Sequence, residues 1–269
     1  TTFFSDVSHE VRTPLALMLG PVTDLLESGT LEPGARRSLQ LARRNGRRLQ
    51  RLVDTLLDFS RIEDGRMQAR FRPVPLAQAT AALSSFFDPA ARRAGLTLEI
   101  DCPPLPQPVY VDRGMWEKIV FNLLSNALKY TLQGRVAVKV RDVGAGARLE
   151  VGDTGVGIPP QALPHVFERF YRVEGARGRS IEGTGIGLAL VAELARMHGT
   201  LPQVRSSLDQ GTTFSIELPY GYGHLPPDMV EHVCELTEAG TSPAGWLDEA
   251  EGWLTLETPG DDTLPASLP

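Results

Sequence analysis

The chain has 269 residues, enough for about two domains that each bury most of the apolar surface of the unfolded chain. With 42% hydrophobic and 22% charged residues and two scattered cysteines, Cys102 and Cys234, it has the composition of a globular protein in a reducing compartment and excludes a disulfide framework or a zinc site. Net charge is −6, yet residues 220–269 hold ten acidic and no basic residues, so the preceding body stands at +4 and suits anionic ligands.

No apolar run reaches the ~20 residues that span a bilayer, and no signal-peptide pattern opens the chain. The first residue is Thr and an amphipathic pattern is already running at Phe3 and Phe4, so the chain is expected to be a fragment. It is placed in the cytoplasm, with membrane anchoring of its parent left open.

Residues 3–27 carry apolar side chains at Phe4, Val7, Val11, Leu15, Met18, Val22 and Leu25, three or four apart, which predicts a helix with one apolar face. Ala35, Leu39, Ala42, Gly46, Leu49, Val53 and Leu56 repeat the pattern, and the turn residues from Ser28 to Gly34 lie between the two runs. A single pair of helices with one stripe each buries its core poorly. Two copies forming a four-helix bundle remove that defect, so a homodimer through residues 1–66 is expected.

His9 lies two residues past Val7 and two before Val11, about 200° around the helix from each, and so faces away from the stripe. A lone exposed histidine is usually solvated surface. Its neighbours favour chemistry instead. Neutral imidazole is a nucleophile near pH 7, Glu10 can hold the other ring N–H and act as a base, and Thr13 shares the face at i+4. Pro14 removes the N–H that would bond the Glu10 carbonyl, so a bend is expected just below the histidine. The zinc-protease pattern His-Glu-x-x-His fails, because Thr13 stands where the second histidine is required.

The helical pattern stops at Asp64-Gly65, and Arg72-Pro-Val-Pro75 reads as a linker over 67–75. A second domain over 76–219 follows: helix 76–94, strands near 96–101 and 108–111, helix 113–130, strands 135–142 and 147–153, helix 185–198, and strands 203–207 and 211–218. Such a mixture predicts an α+β sandwich with helices on one face of the sheet. Residues 159–182 are polar and lie between two glycine motifs, where a mobile lid over a ligand is expected. The acidic, Pro-rich tail 220–269 is expected to be mostly disordered, with a helical turn near 244–254.

Asn122, Asn126 and Lys129 fall on one face of helix 113–130, opposite Val120, Leu123, Leu124 and Ala127. A carboxamide oxygen is a hard ligand for Mg2+, and Lys129 offers a point charge to phosphate, so Mg-ATP is the expected guest. Asp153 ends a predicted strand and can accept a hydrogen bond from adenine N6. Gly155 and Gly157 let backbone approach the base, and Gly183, Gly185 and Gly187 open a helix whose N-terminal amides favour phosphate. Each Gly-x-Gly element alone is a common turn; their ordered combination is specific. No strand precedes Gly183 as a Rossmann site needs, and no Gly-x-x-x-x-Gly-Lys-Ser/Thr occurs.

From Phe4 to about Pro219 the chain resembles the catalytic core of two-component sensor histidine kinases. Six motifs carry the resemblance in order: Phe4-Ser-Asp-Val-Ser-His-Glu-Val-Arg-Thr-Pro14, the asparagine box at 122–130, Asp153-Thr-Gly-Val-Gly-Ile-Pro159, Phe167-Glu-Arg-Phe-Tyr-Arg172, Gly183 to Leu188, and Gly211-Thr-Thr-Phe214. The resemblance implies a dimeric helical hairpin followed by a Bergerat-type ATP domain. It implies that His9 accepts the γ-phosphoryl group of ATP with Glu10 as base, and that Thr13 serves dephosphorylation of a partner. It assigns Mg2+ to Asn122, phosphates to Asn126 and Lys129, packing against the base to Tyr130, adenine to Asp153 and the γ-phosphate to Arg172. Thr184, Leu188 and Thr213 join Gly155, Gly157, Gly183, Gly185 and Gly187 as nucleotide-contacting positions. The next acceptor it implies is an aspartate of a response regulator receiver domain, supplied in trans or fused downstream, as in hybrid kinases. One departure is His198-Gly199-Thr200, where a second glycine is common; Pro202 soon after puts the following strand start in doubt.

Arg36, Arg37, Arg43, Arg44, Arg47, Arg48 and Arg51 form the densest basic run. Its bland reading is a solvated helix face; the sharper one is steering of an acidic receiver toward His9. Nucleic acid is not expected, because no recognition motif accompanies the run. Two other functions compete with phosphotransfer: a gyrase-like ATPase clamp, disfavoured by the His9 box, and a non-catalytic ATP-binding scaffold, disfavoured by the joint presence of His9, Glu10, Asn122 and Asp153.

Overall fold

A computed structural model describes residues 3–28, 31–173, 178–179 and 185–231, apart from the side chains of residues 3–13, 48, 51 and 63. Helix α1 (Phe3–Glu27) continues through Pro14 and Pro21. Helix α2 (Pro33–Glu63) opens on a proline, where the missing N–H would have had no helical partner. The two pack as a hairpin, and where Gly46 faces Leu19 a Cβ at position 46 would stand 2.5 Å from Leu19 Cδ2. Leu15, Leu26 and Leu57 are buried, whereas Met18, Leu25, Leu49 and Leu56 stay 47–61% exposed. Much of the predicted apolar stripe is therefore uncovered within one chain among the described residues.

The second unit is built on a five-stranded sheet in the order β2-β4-β5-β7-β6, made of β2 (Leu96–Asp101), β4 (Gly134–Asp142), β5 (Gly146–Asp153), β6 (Gln203–Ser207) and β7 (Gly211–Pro219). Only β2 and β4 run parallel. Alternation at period two sorts its residues: Val136, Val138, Val140, Leu149, Val151, Phe214, Ile216 and Leu218 are buried, and Lys139, Arg141 and Glu217 are not. The buried face meets α5 (Arg113–Tyr130) and α6 (Gly187–Met197), whose Trp116, Ile119, Leu123, Leu124, Val191 and Leu194 fill the core. Trp116, 1% exposed, keeps its indole N–H satisfied by donating to Thr80 Oγ1 at 3.0 Å. Asp112 caps α5, its carboxylate accepting from the N–H of Met115 at 3.0 Å.

Three boundaries differ from those expected. Helix 76–94 is two helices, α3 (Leu76–Ser85) and α4 (Asp88–Arg93), because Pro89 lacks the N–H that a continuous helix would give to Ser85. Arg72–Val74, read as linker, is strand β1, paired antiparallel with β3 (Val109–Val111). The start of the tail is packed: Phe71 N–H donates to Met229 O and Glu231 N–H to Phe71 O, both at 2.9 Å, and Arg72 Nε donates to Glu231 at 2.7 Å. Phe71 and Leu225 are buried as a result. Residues 232–269, including the expected turn at 244–254, lie outside the described residues.

The hairpin and the sheet unit touch at the end of α2. Phe59 is buried in the core of the sheet unit beneath the Arg169 guanidinium, 4.7 Å from its ring centroid. Beside it Asp58 accepts from the Lys118 ammonium of α5 at 2.5 Å.

His198, wholly buried after α6, joins the unit's two main helices. One ring nitrogen meets Leu194 O at 2.7 Å and the other accepts from Asp112 N–H at 3.2 Å, which requires the neutral tautomer protonated at Nδ1. Burial holds its pKa below the ordinary histidine value, and the neighbouring His224 adds to the depression. Folded His198 thus refuses a proton that the unfolded ring takes below pH ~6.5, so stability is present above that pH and declines below it. Wild type should lose up to about 1.4 kcal/mol per pH unit there through this residue. His198→Gln should lose less, keeping only the contribution of groups such as His224, whose pKa burial also lowers; denaturant midpoints at pH 7.5 and 5.5 check this. The strand after His198-Gly199-Thr200 starts at Gln203, as expected despite Pro202.

Candidate functional site

The last two turns of α5, the loop after β5, the start of β7 and the start of α6 converge on one end of the sheet. Asn122 is 7% exposed; its amide nitrogen donates to Lys118 O at 2.7 Å, which turns Oδ1 toward α6. A Cβ on Gly187 would stand 2.6 Å from that oxygen, so only glycine lets α6 begin this close to the carboxamide. Asn126 is half-buried on the same face. Lys129 is 5% exposed, with its ammonium 4.9 Å from the Tyr130 ring centroid.

Asp153 closes β5. Its Oδ1 accepts from the N–H of Gly155 at 2.8 Å and of Thr212 at 3.3 Å. Both bonds favour the carboxylate, yet burial outweighs them and raises its pKa to about 6. Gly155 is pressed against α5: its Cβ would lie 2.2 Å from Tyr130 O, the same carbonyl that accepts Val156 N–H at 3.1 Å. Gly157 adopts φ 69° with its Cβ position 2.1 Å from Ser207 O, so backbone conformation and space both demand glycine. Gly185, φ 70°, sits against the Phe170 backbone, whose N–H donates to Gly185 O at 2.8 Å. Leu188 packs on the core and Arg172 is exposed.

Asn122, Lys129, Tyr130, Asp153, Gly155, Gly185 and Gly187 are thus brought together from separate stretches of chain. His9, Glu10 and Thr13 fall within α1, but their side chains lie outside the described residues, as do Gly183 and Thr184. Of residues 159–182, the stretch 174–177 and residues 180–182 also lie outside them.

Thr213 pairs in register with Gly152, and with Ala137, Lys139, Glu150 and Asp153 it lines a depression of about 180 Å³ whose lining includes neither Asn122 nor Lys129. Thr212, in register with Asp153, is the residue that reaches it. Ser206 was likewise not anticipated: it accepts Ile158 N–H at 2.8 Å, donates to Gly211 O at 2.8 Å and meets the Thr212 hydroxyl at 2.9 Å, joining the two turns. Side-chain alternation gives no signal for Thr212, because it is its backbone N–H that reaches Asp153.

Among the described residues no helix is long and apolar enough to cross a membrane, and no three His, Cys, Asp or Glu cluster as metal ligands. The donor set that would face a metal is a carboxamide oxygen beside a lysine, suited to a hard cation that carries its own phosphate ligands.

Two families match the chain. Residues 1–65 match the "His Kinase A (phospho-acceptor) domain" and residues 112–222 the "Histidine kinase-, DNA gyrase B-, and HSP90-like ATPase". Similar proteins include hybrid signal transduction histidine kinase D of Dictyostelium discoideum, 36% identical over 88% of this chain, and sensor histidine kinase TmoS of Ectopseudomonas mendocina, 36% identical over 81%. The chain spans 15% and 22% of their respective lengths. Among solved structures, full-length ShkA in complex with AMPPNP aligns with a TM-score of 0.68 at 30% identity, covering 82% of this chain and 47% of that one.

Proposed function

This chain belongs to the histidine kinases, as the catalytic core formed by their phospho-acceptor and ATPase domains, and on that premise we propose that it transfers the γ-phosphoryl group of Mg-ATP to His9. The observation that carries the proposal is the convergence of Asn122, Lys129 and Asp153 around glycines that admit no Cβ, downstream of a histidine on an amphipathic helix. Asp153, as the carboxylate, accepts from the adenine amino group, and Gly155 keeps the approach to the base clear. Asn126 and Lys129 hold phosphate oxygens, and Tyr130 packs beside the base. Asn122 Oδ1 would hold Mg2+, which when bound supplies neutralising charge between the phosphates. The N-terminal end of α6, with Gly183, Thr184, Gly185, Gly187 and Leu188, offers amides to phosphate, and Arg172 steadies the terminal one.

In the transfer, the unprotonated ring nitrogen of His9 attacks the γ-phosphorus, an N–P bond forms, the bridging O–P bond breaks and ADP leaves. Glu10 holds the other ring N–H and takes up its proton. The phosphoryl group then passes to an aspartate of a response regulator receiver domain, and Thr13 supports its later removal from that regulator. The half-exposed Met18, Leu25, Leu49 and Leu56 are the surface through which two copies would complete a four-helix bundle.

Incubation with γ-labelled ATP tests this. Wild type should acquire an acid-labile, alkali-stable label that is absent from His9→Gln. Free phosphate without labelled protein would favour the clamp ATPase instead. Mixing His9→Gln with Asn122→Ala subunits distinguishes transfer across the dimer, which restores label, from transfer within one subunit, which does not.

A further inference from the structure

We propose that Arg179 is a positioning residue of the nucleotide site, one that fixes Lys129 and Tyr130 by closing off the C-terminal end of α5. The inference rests on the ATP reading above. A helix leaves its last carbonyls without internal partners, and α5 ends at the two residues assigned to phosphate and base. Here those carbonyls are covered from outside. Tyr130 O accepts from Val156 N–H, as described, and Ala127 O from the Thr131 hydroxyl at 2.6 Å. Arg179 covers Lys129 O and the two carbonyls that follow the helix. Its backbone N–H donates to Lys129 O at 2.9 Å, its Nε to Thr131 O at 2.9 Å and one Nη to Leu132 O at 2.6 Å.

The same Nη donates to Ala94 O at 2.8 Å, the residue that ends α4. One guanidinium therefore bridges the C-terminal ends of two helices, the place where a cation is favoured and where a planar fork of donors fits several carbonyls at once. Gly178, next to it, lies against the Tyr130 ring edge: its Cβ position is 3.2 Å from Tyr130 Cδ1 and 3.3 Å from Lys129 O. Backbone and side chain at 178–179 thus hold the helix end that carries Lys129 and Tyr130, which Gly155 also touches at Tyr130 O. Without the guanidinium Thr131 O, Leu132 O and Ala94 O lose this donor, and the backbone N–H to Lys129 O is left to hold the helix end by itself.

Arg179 touches neither phosphate nor base in this account, so its test must separate positioning from bulk stability. Affinity for a fluorescent ATP analogue and the melting temperature without nucleotide are measured for wild type, Arg179→Ala and Arg179→Lys. Arg179→Ala is expected to bind about tenfold more weakly while melting close to wild type, with Arg179→Lys between the two, because an ammonium donates from a single point. Wild-type affinity in Arg179→Ala overturns the proposal. So does weak binding that follows melting of the variant below the assay temperature, if Arg179→Lys folds and binds as wild type does. Because the readout is binding, it stands even if no label reaches His9; absence of analogue binding by wild type would instead refute the ATP reading itself.

Discussion

Asp153→Asn should abolish high-affinity nucleotide binding while making the empty protein more stable. Burial raises the Asp153 pKa to about 6 in the folded state, against 3.8 for the free side chain. For an acid whose folded pKa is raised, the favourable contribution is present below the unfolded value and is lost as pH rises through the folded one. At pH 7.5 the folded protein therefore carries a charge that its surroundings disfavour. Asparagine keeps the oxygen that accepts from Gly155 and Thr212 and removes that charge. Partial exposure moderates the gain; a melting temperature higher by about 2 to 4 °C corresponds to roughly 1 kcal/mol in a domain of this size. The amide would set a donor against the adenine amino group, so affinity should fall at least 100-fold, a loss of about 2.7 kcal/mol. Wild type should show the matching proton linkage. Its ATP affinity should drop about tenfold per pH unit below 6, where the carboxylate must first lose a proton, and stay flat above 7. Calorimetric titrations between pH 5 and 8 measure both, and a flat profile or a less stable Asp153→Asn would refute this account of Asp153.

Gly155→Ala should instead cost stability and nucleotide binding together. The added carbon would stand 2.2 Å from Tyr130 O, 2.8 Å from Tyr130 C and 2.9 Å from Asp153 Oδ1, and two of those atoms are backbone. Neither side can yield by turning a rotamer. The loop must leave α5, which breaks the Val156 to Tyr130 bond and displaces Asp153. Overpacking of this kind costs about 1 to 3 kcal/mol, and the melting temperature should fall by about 5 °C or more. ADP should then stabilise the variant little or not at all. Gly223→Ala, where nothing lies within 4 Å of the added carbon, is the control and should match wild type.

The two expectations trace how far the sequence was readable. Helices α1, α2, α5 and α6 and the five strands of the main sheet were legible within a few residues, because apolar spacing at 3.6 or 2.0 reflects burial of one face and needs only near neighbours. The residues proposed for the site could be grouped for a similar reason: Asn122, Asn126 and Lys129 share a face by spacing alone, and Gly155, Gly157 and Gly187 stand where backbone or a side chain passes closely. The threonines were less legible: Thr212 reaches Asp153 through its backbone N–H, which no side-chain pattern marks, while Thr213 pairs in register with Gly152.

What the sequence by itself determined is local: the helices and strands, and glycines at the places where a Cβ would collide. What tertiary structure alone decided is pairing over distance. Arg72 with Glu231 makes strand and tail part of the core, 159 residues apart, and Arg179 with Ala94 joins two helix ends across 85. Such contacts leave no periodic trace. An arginine in a polar loop reads as solvated surface until the fold brings unsatisfied carbonyls within its reach, and only then does its place become a consequence of hydrogen bonding.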